Sequence, residues 1–191
     1  MDASLYQERF WLEWQLDPSS SKYNEVLAFD LDGYFDINAM TLALQHLTDQ
    51  HALLRSTFSR KSARLQLDTV STAEPLLKTI QAGDLSQQAC LQIVKQAAYQ
   101  PFDLSLFPLW RTIVVCLEEN RYWLVFSFHH IILDGNAFQL FLNEFSDCYN
   151  QFSLNQGSKI EFKCDYSLLQ QQIADEKTAR SKLPVGLLDY Y

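Results

Sequence analysis

Glycine is scarce in this chain, with five in 191 residues, against an average of about 7%. Gly33, Gly83, Gly135, Gly157 and Gly186 stand far apart, no two closer than the 22 positions from Gly135 to Gly157. There is no GxGxxG run and no Walker loop, which disfavours nucleotide folds built on clustered glycines. Basic residues are also short: 15 Lys and Arg against 23 Asp and Glu give a net charge of −8. Proteins that track phosphates are normally basic, so nucleic acid is set aside as a partner. The four cysteines, Cys90, Cys116, Cys148 and Cys164, contain no CxxC pair and no zinc-like spacing. They read as reduced thiols of a cytoplasmic protein. No segment approaches the roughly 18 apolar residues of a spanning helix, so no membrane is expected. The opening Met1-Asp2-Ala3-Ser4 lacks the basic-then-apolar pattern of a signal peptide.

What is present suits a globule. At roughly 150 residues per domain the length gives a little over one domain. A hydrophobic share of 48% and a charged share of 20% argue against disorder. Ser4 to Leu16 reads as a helix with Ser4 as N-cap and Pro18 beyond its end. Glu25 to Asp32 alternates like a partly buried strand, and Gly33 breaks it. Asp36 caps a helix to about Gln50. Leu54–Phe58 and Arg64–Val70 look like short strands. Asp84-Leu85-Ser86 opens a helix to about Tyr99, stopped by Pro101. Trp110–Leu117 and Tyr122–Phe128, rich in β-branched and aromatic residues, form a hairpin across Glu118–Arg121. A helix begins near Gly135 or Asn136 and runs to about Asn150. Asp165 caps a last helix through Lys177. Irregular alternation with a hairpin predicts an α+β fold, not a parallel doubly wound one.

One stretch carries chemistry: His129-His130-Ile131-Ile132-Leu133-Asp134-Gly135. Two of the four histidines are adjacent at the end of a hydrophobic strand. Strand neighbours point to opposite sides, so one imidazole faces a cleft while the other packs inside. A neutral imidazole removes a proton from an attacking amine or alcohol near pH 7. Histidine pairs also bind metals, but no third ligand sits at a helpful spacing, and no metal is expected. An inert, hydrogen-bonded pair remains open on the residues alone.

Further stretches turn this into a family resemblance. His129 to Gly135 resembles the HHxxxDG motif of condensation domains in nonribosomal peptide synthetases. Ser4-Leu5-Tyr6-Gln7-Glu8-Arg9-Phe10-Trp11, with Leu16-Asp17-Pro18 and Tyr23-Asn24, resembles the family's SxAQxRLW, LDP and YN opening. His51-Ala52-Leu53-Leu54-Arg55-Ser56-Thr57-Phe58 is similar to RHExLRTxF. Phe102-Asp103-Leu104 with Pro108-Leu109-Trp110-Arg111 is similar to FDLxxxPLxR. The departures are Tyr6 for alanine, Ala52 where glutamate is preferred, and Ser56 for threonine.

The resemblance implies a chloramphenicol acetyltransferase-like two-layer α/β sandwich, here as a single lobe. Residues 1–180 would form the N-terminal lobe, with 181–191 leading toward an absent second lobe. It implies amide-bond formation between acyl and aminoacyl thioesters. Both are carried on the phosphopantetheine of donor and acceptor carrier proteins, and no cofactor is bound directly. The second lobe and an adjacent adenylation domain are the other implied partners. His130 would be the catalytic histidine and His129 an inward packing residue. Asp134 would pair with Arg55 to lock the turn, and breaking such a buried pair costs about 3–5 kcal/mol. Gly135 would leave room for a substrate arm beside the backbone. A lobe of a stand-alone acyltransferase and a non-catalytic carrier-binding lobe are the alternatives. The isolated chain is expected to show little condensation activity and to expose an apolar face.

Overall fold

The computed structural model describes residues 1–61 and 64–153. The helix expected from Asp165 to Lys177, the segment 181–191 and Cys164 lie outside them. The elements run α1 (Leu5–Leu16), β1 (Asn24–Asp32), α2 (Ile37–Gln50), a 3-10 turn (Ala52–Arg55), β2 (Ser56–Lys61), β3 (Arg64–Thr69), β4 (Leu77–Gln81), α3 (Gln87–Ala98), β5 (Trp110–Glu118), β6 (Arg121–His129) and α4 (Gly135–Phe152).

Each helix starts where a short polar side chain can take up orphan amides. Ser4 accepts from the amide of Gln7, whose side chain returns a bond to the Ser4 amide. Asp36 accepts from Asn38 and Ala39, Ser86 from Ala89, and Asp134 from Ala137. The β5–β6 hairpin turns at Glu119-Asn120, where Asn120 takes a φ of 61°. Asn tolerates this left-handed region better than most residues.

The main sheet has the order β1-β6-β5-β4. β1 pairs antiparallel with β6 from Asn24–His129 to Asp32–Arg121, and β4 joins β5 in parallel. β2 and β3 form a separate antiparallel hairpin. Alternate side chains of the central strands divide two cores. Trp110, Val114, Leu124, Phe126 and Phe128 pack with α1, α2 and α4. Ile113, Val115, Trp123 and Val125 pack with Cys90, Val94 and Ala98 of α3. The expected mixed α/β fold is present, with α1, α2 and α4 on one face of the sheet and α3 on the other.

Two readings of short segments change. Leu54 and Arg55 belong to the 3-10 turn, so β2 begins at Ser56. Leu54 is apolar because it is buried and its carbonyl takes the Trp110 indole N–H at 2.8 Å, not because it lies in a strand. β4 was not expected at all, since only Ile80 of its five residues is buried.

The C-terminus of α3 is held by side chains from three strands. Arg111 Nη1 donates to the carbonyls of Ala97 and Gln100 at 2.7 and 2.9 Å. Asn24 Nδ2 donates to Ala98 and Gln100, and Ser127 Oγ to Ala98. Cations and donors suit this end, where carbonyls lack partners. The guanidinium also lies 3.8 Å above the Phe102 ring. Burial lowers the Arg111 pKa to about 10. Arg111, which has no role legible in the sequence, thereby ties α3 and the Phe102 loop to the end of the sheet that bears His129.

α1 is apolar on two faces. Phe10 and Trp11 are buried, while Leu5, Leu12 and Leu16 on the opposite side are 85%, 52% and 87% exposed.

Candidate active site

His129 ends β6 and His130 opens the turn after it. The Asn24–His129 pair is the last of the β1–β6 ladder. One further rung follows, from the His130 amide to the Tyr23 carbonyl at 2.9 Å. The backbone amides of both histidines are therefore held, that of His129 by the Leu109 carbonyl and that of His130 by the Tyr23 carbonyl.

The two rings differ in every respect that matters. His129 is 4% exposed and sits edge-on to Phe10, Tyr23 and Phe102. Its Nδ1 accepts the Ile131 amide at 3.0 Å, which places its proton on Nε2. Burial, with the neighbouring His130 charge second, lowers its pKa to about 4. It is a neutral packing residue at any ordinary pH.

His130 is half-buried. Its Nδ1 lies 2.8 Å from the Leu133 carbonyl oxygen. A carbonyl can only accept, so Nδ1 carries a proton, and whenever the ring is neutral the lone pair is on Nε2. The ring leans on Phe10 (centroids 5.2 Å apart) and meets the edge of Tyr6 at 6.5 Å. The arrangement offers one oriented imidazole beside an apolar helix face. Such a group can take a proton from a bound nucleophile or hold a developing N–H.

Asp134 and Arg55 do not pair. Asp134 is exposed, and its Oδ1 accepts the Ala137 amide at 2.8 Å as the N-cap of α4. Arg55 Nη1 donates to the Val70 carbonyl at 2.6 Å and Nη2 lies 3.4 Å from the Asp49 carbonyl. The expected buried ion pair is replaced by two separate local tasks, capping α4 and tying the 3-10 turn to the end of β3. The physical reason lies in the adjacent sequence: an aspartate one residue before a helix satisfies free amides directly. Asp134→Ala should therefore cost about 0.5–2 kcal/mol, a cap's worth. Urea unfolding of the variant checks this, and Asp134→Asn should recover most of the loss.

Gly135 is the first residue of α4, with nothing within 4 Å of the position a Cβ would take. The open space stands directly beside the His130 turn. Gln7, quoted in the opening motif but given no role there, donates from Nε2 to the Ile131 carbonyl at 3.2 Å and docks α1 on the turn. The helix spacing of Gln7 and Phe10 is the signal that could have found it.

The mixed sheet with its flanking helices is the chloramphenicol acetyltransferase-like arrangement found in solved condensation domains. The chain belongs to the condensation-domain family, whose profile matches residues 1–182. It is 32% identical over 165 residues to a chondramide synthase of Chondromyces crocatus, covering 84% of this chain and 4% of that protein. Its fold is similar to the starter condensation domain of rhizomide synthetase, with a TM-score of 0.72 and 22% identity over 95% of this chain and 43% of the other. A four-domain nonribosomal peptide synthetase bound to AMP and glycine matches with a TM-score of 0.69 and 26% identity, over 93% of this chain and 13% of the other. The chain thus spans less than half of a solved condensation domain and a small fraction of the curated relatives. Among the described residues no helix is long and apolar enough to cross a membrane.

Proposed function

We propose that this chain is the N-terminal lobe of a condensation domain that joins carrier-bound acyl and aminoacyl thioesters. Residues 1–180 form the lobe and 181–191 lead toward a second lobe. His130 is the catalytic residue; His129 packs behind it, Asp134 and Gly135 open α4 after its turn, and Arg55 ties the 3-10 turn to the end of β3. The observation that carries this reading is the bond from His130 Nδ1–H to the Leu133 carbonyl, which leaves Nε2 as an oriented acceptor.

In the proposed step the acceptor amine attacks the donor thioester carbonyl. The C–N bond forms and the carbonyl oxygen takes the electron pair of the π bond. His130 Nε2 accepts the proton from nitrogen. The adduct then collapses, the C–S bond breaks, and the donor thiolate leaves and is protonated. The phosphopantetheine arms of a donor and an acceptor carrier protein supply the two thioesters. Gly135, with open space where a side chain would stand, leaves room for one arm along the backbone.

The exposed Leu5, Leu12 and Leu16 on α1 support a lobe made to be covered. The isolated 191-residue chain is expected to form little or no product. Incubation with two loaded carrier proteins, followed by mass spectrometry of the acceptor carrier, tests this. Robust amide formation by the chain alone would sink the one-lobe reading. Product formation restored by adding a second lobe would support it.

A further inference from the structure

Three residues of α1 spaced three apart connect to the histidine turn, two directly and one through Tyr23. Gln7 reaches the Ile131 carbonyl, and Phe10 carries the rings of His129 and His130. The third, Glu13, touches it at one remove. Its carboxylate accepts from the Tyr23 hydroxyl, from Lys22 Nζ, and from Arg9 Nε at 3.1 Å. Tyr23 is the residue whose carbonyl receives the His130 amide, and whose ring packs on Phe10 (4.6 Å) and His129 (6.1 Å). Lys22 lies over the same ring, 4.7 Å from its centroid.

The geometry points to Glu13 as a positioning residue for His130, acting through Tyr23. The Tyr23–His130 rung is the end of the β1–β6 ladder, where strands fray most easily. Nothing in the ladder beyond it holds the His130 backbone. The Tyr23 hydroxyl, bonded to Glu13, joins this last rung to the helix on which the His130 ring rests. Charge-assisted bonds of this kind are roughly twice as strong as neutral ones. Glu13 is only 25% exposed, so solvent screens the contact weakly. With the bond in place, the peptide and the ring of His130 are referenced to one rigid helix. Without it, the peptide frays while the ring stays on Phe10, and the Nδ1–Leu133 bond loosens. The inference rests on the proposed role of His130, but it concerns this chain's own geometry.

Amide hydrogen exchange and histidine 15N spectra of the full 191-residue chain test it without any need for turnover. Glu13→Ala should speed exchange of the His130 amide by about tenfold or more while that of Val125, in the middle of β6, changes far less. The His130 ring should shift from the Nδ1–H form toward a tautomer mixture. Glu13→Gln, which keeps an oxygen to accept the Tyr23 hydroxyl, should restore most of both signals. Tyr23→Phe should reproduce the Glu13→Ala result. Ser86→Ala, which removes the distant α3 cap, serves as a control for general loss of stability and should leave both signals in place. His130 exchange within twofold of wild type in Glu13→Ala, or acceleration equal to that of Val125, overturns the proposal. In the two-lobed enzyme Glu13→Ala should lower kcat with KM little changed. Altered His130 exchange in Glu13→Ala, together with full activity of His130→Ala, would overturn the catalytic role of His130 and leave the positioning role standing.

Discussion

Replacing His130 by alanine in the two-lobed enzyme is expected to lower amide-bond formation by about 10²–10⁴-fold, the usual worth of general-base assistance. Its division between ground state and adduct follows from the amine. An α-ammonium with a pKa of about 7.7–8.0 is already roughly 10–15% free amine at pH 7. Deprotonating it beforehand is therefore worth no more than about tenfold. Any larger effect belongs to removal of the proton once nitrogen has attacked and become strongly acidic. With Nδ1 bonded to the Leu133 carbonyl, Nε2 of the neutral ring is the nitrogen left for that later transfer. Raising the assay from pH 7 to 8.5 should then rescue His130→Ala by less than about tenfold. Single-turnover assays with pre-loaded carriers measure both quantities. Wild-type rates in His130→Ala, or complete rescue by pH alone, would remove His130 from the proton path.

Local rules made much of this fold legible. Ser4, Asp36 and Ser86 each cap the helix that follows them, because short oxygen-bearing side chains satisfy free amides. The hairpin of β5 and β6 follows from β-branched and aromatic runs meeting at a tight turn. β4 escaped because its identity lies in the parallel partner, Thr112 to Cys116, and not in its own five residues. The site divides in the same way. Adjacent histidines at a strand end mark it, since alternation alone sends the two rings apart. Asp134 shows a local rule prevailing over a distant one: its place before a helix predicts the cap that the structure contains, and the resemblance pointed to Arg55 instead. Glu13 had no signal of its own. Its partner Tyr23 is ten residues away across a turn, and only the folded chain brings carboxylate, hydroxyl and the last sheet rung together.

The same burial that makes His129 a packing residue should make the lobe acid-sensitive in a defined window. Its pKa falls from 6.5 unfolded to about 4 folded, with burial the main cause and the His130 charge the second. Between these values the unfolded chain binds a proton that the folded chain refuses, so stability falls as pH falls. The full contribution is present above pH 6.5 and is lost on the way to pH 4. Two and a half pH units at 1.36 kcal/mol each make this about 3 kcal/mol, a large share of a typical domain's stability. The Glu13 carboxylate acts in another window. Burial opposes its ionisation, but Lys22, Tyr23 and Arg9 outweigh that and lower its pKa from 4.5 to about 2. Its stabilisation is intact above pH 4.5 and is lost as pH drops toward 2, so it adds little to the loss between pH 6.5 and 4.5. Urea unfolding from pH 7 to pH 4 separates the two. His129→Gln keeps an acceptor for the Ile131 amide and cannot titrate. Its stability profile should be flatter than that of wild type by about 3 kcal/mol across this range. Parallel profiles would mean that His129 is protonated in the fold. Its Nδ1 could not then accept from Ile131, and the rigid turn presenting His130 would need another cause.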